Sequence, residues 1–294
     1  MARALRSVLP ATSLTVIVNV GDDETIYGVH VSPDVDTVVY TLAGIEGPRG
    51  WGIADDTFAM LDHLAALGVD TTFRLGDRDL ATCLFRTDVL AHGGTLSIAT
   101  SRIATSLGAD TEIVPATDDL LRTDVRIDDG SWLTFQDYFV ARRHRDAVRD
   151  LRFRGGSSAQ PPPGVVAAVA TSDLVIIAPS NPPLSIWPIL AVDELGDAVR
   201  SHERTVAVSP LFGGKPLKGP ADRVMEGLGL HPGNVGVAEA YQGVITDLVI
   251  DRGDDVDVAV LRDRGLRVHV TDTRIAEPDA GRRFAHWLLE AVAP

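Results

Sequence analysis

A single cysteine, Cys83, stands in a chain of 294 residues. One thiol excludes an intrachain disulfide framework and a cysteine-based zinc site. Long apolar runs are missing as well: none reaches the roughly 18 residues of a membrane-spanning helix. Excess positive charge is absent, because the formal net charge is −14 at pH 7. A general nucleic-acid binder displaces counterions with a basic face, so that class is set aside. A phosphorylated small molecule is not excluded, since a few local cations and backbone amides suffice for it. The first ten residues carry basic side chains but no apolar stretch before a small-residue cleavage site. They do not read as a secretion signal, and a cytoplasmic, non-membrane protein is expected. There is no G-x-S-x-G elbow and no Lys-Ser or Lys-Thr closing a phosphate loop. The eight histidines lack metal-ligand spacing.

What is present suits an α/β fold. Hydrophobic residues make up 45% of the chain, enough for a sizeable core. Residues 14–20, 173–179, 205–209, 247–251 and 266–271 are short, almost continuously apolar runs, as expected of strands covered on both faces. Helical spacing is read over 2–9, 58–67, 79–91, 96–107, 165–170, 189–202, 235–244 and 279–292, with Asp55-Asp56-Thr57 offering cap chemistry and Gly68 a stop. Alternating strands and helices predict a doubly wound, mainly parallel, Rossmann-like sheet. Residues 112–140 hold three short strand-like runs, an inserted β-hairpin region. The arginines at 142, 143, 145, 149, 152 and 154 read as a solvated helix face, and 155–164 (GGSSAQPPPG) as a linker. The expectation is one domain over 1–294 with a helical and β-hairpin subdomain inserted at about 55–160.

Ligands of such sheets bind beyond the carboxyl ends of the strands. Four polar segments follow predicted strands or precede helices. Asn19-Val20-Gly21-Asp22-Asp23 with Ser32-Pro33-Asp34-Val35-Asp36-Thr37 brings four carboxylates close in sequence; they suit a hard cation such as magnesium or are turn and cap aspartates. Gly76-Asp77-Arg78-Asp79 precedes a helix, where Asp77 or Asp79 caps it and Arg78 is a surface cation or an anion-binding group. Ser180-Asn181-Pro182-Pro183-Leu184-Ser185 is a rigid turn or a cradle for an anion or base. Gly213-Gly214-Lys215-Pro216-Leu217-Lys218 is a flexible loop or a phosphate contact.

Taken together these segments are specific. VNVGDD (18–23), VSPDVDTVVYTLAG (31–44), GWGIADDTF (50–58), LGDRDLAT (75–82), FQDYFV (135–140), APSNPPLSIWPILAV (178–192) and VAVSPLFGGKPLKGPA (206–221) occur in an order and spacing that resemble the 2-phospho-L-lactate transferase family. The likeness runs from about Leu14 to near the C-terminus. It implies a magnesium-dependent, homodimeric transferase of deazaflavin coenzyme F-420 biosynthesis. Such an enzyme moves a phospho-three-carbon-acid unit, 2-phospholactyl or enolpyruvyl, from a guanosine diphosphate donor to the deazaflavin Fo, releasing GMP. Carried onto this sequence, it implies Asp36 as the catalytic group and Asp36, Thr37, Arg78 and Asp79 as Fo contacts. Asp22, Asp23 and Asp34 become metal candidates, and Ser180, Asn181, Ser185, Gly213, Gly214 and Lys218 nucleotide contacts. A neighbouring branch of similar fold binds nucleotide sugars without catalysis and is the alternative. The family also implies an N-terminal strand and a Gly-Gly-x-Gly-Gly loop. Met1 falls inside the helix that should follow them, so both are expected to be missing here, through a late start codon or in an inactive truncated copy.

Overall fold

The computed structural model describes residues 1–48 and 50–292. Its larger sheet has strand order β13-β12-β9-β8, all parallel, from β8 (Val175–Ile177), β9 (Thr205–Val208), β12 (Asp247–Asp251) and β13 (Arg267–Thr271). Every residue of β9 and β12 is buried. Their side chains divide by parity, as a pleated strand requires. Val206, Val208 and Val249 pack with Phe284 and Leu288 of α12 (Pro278–Ala291). Ala207, Leu248 and Ile250 share the opposite core with Leu195 and Val199 of α8 (Asp193–Ser201) and Val237 of α10 (Gly233–Ala240). Helices on both faces of a parallel sheet make the doubly wound α/β architecture expected from the sequence. A second parallel pair joins β1 (Thr15–Val18) to β4 (Glu112–Pro115). Thus β4, read as part of an inserted hairpin region, belongs with β1. The short α1 (Ala2–Arg6) packs Ala4 and Leu5 against Ala285 of α12.

Between these sheets the chain builds the parts that frame the site. The hairpin of β2 (Glu24–Ile26) and β3 (Val29–Val31) turns at Tyr27 and Gly28, both at positive φ (52° and 80°). Helix α2 (Pro33–Leu42) follows, with Pro33 in its first turn, where a missing N–H costs nothing. From the sequence no helix is read here, only turn and cap aspartates or cation ligands, because Ser-Pro-Asp opens turns and helices alike. Helices α3 (Ala59–Ala66) and α4 (Asp77–Ala91) cap each other. Asp56 accepts the α4 amides of Arg78 and Asp79 at 2.9 and 3.1 Å, and Asp77 accepts the α3 amides of Ala59 and Met60, each at 3.0 Å. The α4 cap therefore comes from Asp56, not from Asp77 or Asp79. Helix α5 (Leu96–Leu107) ends at Gly108 in the left-handed conformation.

The antiparallel sheet β6-β5-β7 comprises β5 (Arg122–Ile127), β6 (Trp132–Thr134) and β7 (Val148–Arg154). Strand β7 corrects the helix expected from the arginines. Leu151 and Phe153 point into core, while Arg152 and Arg154 both reach Asp124 at 2.7 Å and Arg126 reaches Asp150 at 3.0 Å. Cross-strand carboxylates neutralise these charges. The 155–164 stretch is a packed corner rather than a loose tether: Gly156 and Ala159 are buried, and at Gly155 (φ 87°) a Cβ would overlap the carbonyl oxygen of Leu120. The helix read over 189–202 is two helices, α7 (Trp187–Leu190) and α8, separated at the buried, extended Val192. Beyond α6 (Val165–Thr171), the remaining elements are the hairpin of β10 (Leu211–Phe212) and β11 (Lys215–Pro216) and two helices not expected from the sequence, α9 (Ala221–Gly227) and α11 (Val258–Asp263). Among the described residues no helix is long and apolar enough to cross a membrane.

Candidate active site

The carboxyl end of β1 runs into Asn19-Val20-Gly21-Asp22-Asp23, which lies against the first turn of α2. Asn19 is the hub: Nδ2 donates to Asp34 at 3.0 Å and to Asp22 at 3.4 Å, and Oδ1 accepts the Gly21 amide at 2.8 Å. Asp23 has both oxygens engaged, accepting from Ser32 Oγ at 2.7 Å and pairing with His30 Nε2 at 2.8 Å. Asp22 and Asp34 keep capacity to spare. Burial and then the charges of Asp34 and Asp23 hold the Asp22 carboxyl well above the ordinary range. Burial first, with the charge of Asp23 adding to it, pushes Asp34 up to about 6, against the opposing Asn19 hydrogen bond. Among the described residues no cationic side chain bonds to either. Two repelling, oxygen-rich groups with unfilled acceptor capacity fit a hard divalent cation.

Two residues after Asp34 in the first turn of α2, Asp36 is buried and ion-paired to Arg86 of α4. Burial raises its pKa and Arg86 opposes the rise. Beside it, Asp79 accepts from the Tyr40 hydroxyl at 2.8 Å; burial, then the charge of Asp36, lifts Asp79 to about 6. Ligand atoms of Asp36, Asp79 and Cys83 lie within 4.8 Å of one another, the one such group of three among the described residues. Arg86 already fills the cationic position next to Asp36, so this group is less suited to a metal than Asp22 with Asp34. Thr37 follows Asp36 on α2 and is half-buried; Arg78 is exposed and donates to the Ala54 carbonyl at 3.1 Å.

The loop after β8 reaches the same place. A Cβ at Gly21 would stand 2.9 Å from Pro188 Cβ and 2.6 Å from Thr123 Oγ1, so the acidic loop touches both α7 and β5. Just before α7, Asn181 Oδ1 caps the turn by accepting the Leu184 amide at 3.3 Å, while its buried Nδ2 has no partner. Ser180 and Ser185 flank it, half-buried. Gln136 joins the group from the segment after β6, donating to the Asp22 carbonyl at 2.7 Å, and lines a cleft of about 360 Å³ with Glu24, Tyr27 and Phe73. A larger trough of about 890 Å³ between α5, β4 and the start of α6 is lined by none of the site residues named from the sequence.

The glycine pair sits farther along the sheet. Gly213 and Gly214 form the β10–β11 turn, and their amides donate to the Asp254 carboxylate at 3.2 and 2.6 Å. Lys218 is exposed just beyond that hairpin. Asn19 was named within its segment but given no role, and His30, Tyr40, Arg86, Thr123 and Asp254 were not singled out from the sequence. For Arg86 a signal existed: it falls on the apolar stripe of Leu80, Cys83 and Val89, where a solvated arginine does not belong.

Residues 1–280 match the family described as 2-phospho-L-lactate transferase CofD. A 2-phospho-L-lactate transferase of Methanopyrus kandleri is 40% identical over 99% of this chain and 93% of its own length. A phosphoenolpyruvate transferase of Streptomyces coelicolor is 36% identical over 98% of this chain and 92% of its own. Among solved structures, a member of the UPF0052 family from Bacillus halodurans superposes with a TM-score of 0.62, covering 98% of this chain and 94% of that one; at 15% identity it speaks to the fold alone. With the family matched over nearly the whole chain and relatives at this identity, the protein belongs to the CofD family of 2-phospho-L-lactate and phosphoenolpyruvate transferases.

Proposed function

We propose that this protein transfers a phospho-three-carbon-acid unit, 2-phospholactyl or enolpyruvyl phosphate, from a guanosine diphosphate donor to the deazaflavin Fo, releasing GMP, in coenzyme F-420 biosynthesis. The observation that carries the reading is that the acidic loop after β1, whose Asn19 holds Asp34, packs at Gly21 against Pro188 of the segment after β8, near the carboxyl ends of strands where doubly wound sheets bind nucleotides. The three-carbon acid stays open, since relatives of both names resemble the chain over nearly its full length.

Phosphoryl chemistry asks for positioning and charge neutralisation more than for a covalent intermediate. Asp22 and Asp34 would hold a magnesium ion, with Asp23 bracing the loop through Ser32 and His30. When bound, the ion would neutralise the donor diphosphate. Asp36 orients the terminal ribityl hydroxyl of Fo and accepts its proton. The oxygen of that hydroxyl forms a bond to the distal phosphorus, and the bond from that phosphorus to the GMP oxygen breaks. Thr37, Arg78 and Asp79 line the Fo side. On the donor side, Ser180, Asn181 and Ser185 bring hydroxyls and an unpaired amide, and Gly213, Gly214 and Lys218 flank the more distant part of the nucleotide. We infer a homodimer in the cytoplasm.

The test is direct. Incubation with Fo, magnesium and the guanylated donor is expected to yield GMP and a deazaflavin species heavier by one phospho-acid unit. Failure to detect that species by mass spectrometry while calorimetry registers binding of a uridine diphosphate sugar, and fluorescence shows no Fo binding, overturns the proposal in favour of a nucleotide-sugar binder.

A further inference from the structure

Arg86 has the largest side chain that is fully buried among the described residues, at 0% exposure. A helical arginine ordinarily keeps its head group in water. Here the guanidinium is threaded between α2 and the β2–β3 hairpin. Nη2 pairs with Asp36 Oδ1, and Nη1 donates to the His30 carbonyl at 3.1 Å. Two buried atoms of this pair lack partners: Arg86 Nε and Asp36 Oδ2. Buried ion pairs rarely stabilise more than a well-packed apolar substitute, and a buried polar atom without a partner is a net cost. Stability therefore does not explain the pair. Groups left incomplete in this way suit a site whose ligand completes them.

We propose that Arg86 is a positioning residue for the transfer. By engaging Asp36 through one oxygen, and being fixed itself by the His30 carbonyl, it presents Asp36 Oδ2 as the single free acceptor for the hydroxyl of the incoming alcohol. The same His30 pairs with Asp23 through its ring, so Arg86 links Asp36 to the acidic loop. This inference rests on the reading of Asp36 as the group that meets the Fo hydroxyl. Arg86 touches no substrate and acts only through Asp36.

The experiment compares wild type, Arg86→Lys, Arg86→Met and the double variant Asp36→Asn/Arg86→Met, with Fo affinity read by fluorescence, turnover by GMP release and folding by thermal melts. A misoriented acceptor costs on the order of 100-fold in rate. Arg86→Met is expected to lose about that much kcat with Fo affinity within roughly threefold of wild type, and to regain about tenfold on adding guanidinium ion, which can re-enter the vacated space. Arg86→Lys keeps the buried charge but not the fork, so it folds and turns over about tenfold more slowly, which keeps the test open should Arg86→Met fail to fold. The double variant buries no unpaired charge; it is expected to melt near wild type yet remain inactive. Overturning results are turnover by Arg86→Lys equal to wild type, a loss in either single variant that lies only in Fo affinity, or activity that returns with stability in the double variant. Wild type that neither binds nor converts Fo overturns the reading of the whole site instead, and this inference with it.

Discussion

Replacing Asp34 by asparagine should make the metal-free protein more stable. Asp34 is raised from 3.8 to about 6 by burial and the charge of Asp23. A carboxyl with a higher pKa in the folded chain than in the unfolded one binds its proton more tightly when folded. The native state therefore gains stability as pH falls through about 6 and carries the full penalty above it. A rise of that size corresponds to roughly 3 kcal/mol, and partial exposure of Asp34 reduces this to about 1–2 kcal/mol. Asp34→Asn keeps an oxygen for Asn19 Nδ2, so the 3.0 Å hydrogen bond survives while the charge goes. For a chain of this size the gain corresponds to a melting temperature roughly 2–3 °C higher at pH 7.5 in chelator. The advantage should shrink at pH 5, where wild type is protonated. Millimolar magnesium should raise the melting temperature of wild type and not that of the variant, because ligands stabilise only the state that binds them. A variant that melts at or below wild type in chelator, or that magnesium stabilises equally, would refute the assignment of Asp34 as a strained metal ligand.

Two further outcomes test the frame around the site. Asp56→Ala removes the acceptor for two α4 amides and should cost about 1–2 kcal/mol, with weaker Fo binding because Arg78 and Asp79 ride on that helix turn; thermal melts and fluorescence titration check both. At the far end of the sheet burial alone would raise Asp247, but Arg267, His269 and Thr246 hold it down at about 2, so the stability it contributes is present above pH 4 and lost as pH falls towards 2; Arg267→Met should move the acid-unfolding midpoint upward, and an unchanged midpoint by circular dichroism would count against the pair.

The parallel strands were legible because full burial writes itself into composition: residues 247–251 are apolar apart from their terminal aspartates, and all five are buried. Helix α2 was hidden by Ser-Pro-Asp, which serves a turn or a helix start equally well. Strand β7 was hidden by its arginines, whose partner Asp124 lies 28 and 30 residues away, beyond any local pattern. The mutual caps of α3 and α4 depend on residues about twenty positions apart and are equally invisible to local reading. Around the candidate site, Asp22, Asp23, Asp34 and Asp36 were readable as a set, but the different partners that surround each were not. Asn19 holds Asp22 and Asp34, Ser32 and His30 hold Asp23, and Asp36 pairs with an arginine whose burial only tertiary structure reveals.

The diglycine turn after β9 is not an open anion cradle. Its two amides are held by the chain's own Asp254, a residue only 3% exposed. Any phosphate that used them would have to displace an internal carboxylate, so a weakly held monoanion would leave that occupant in place, and only a ligand anchored elsewhere as well would force the exchange.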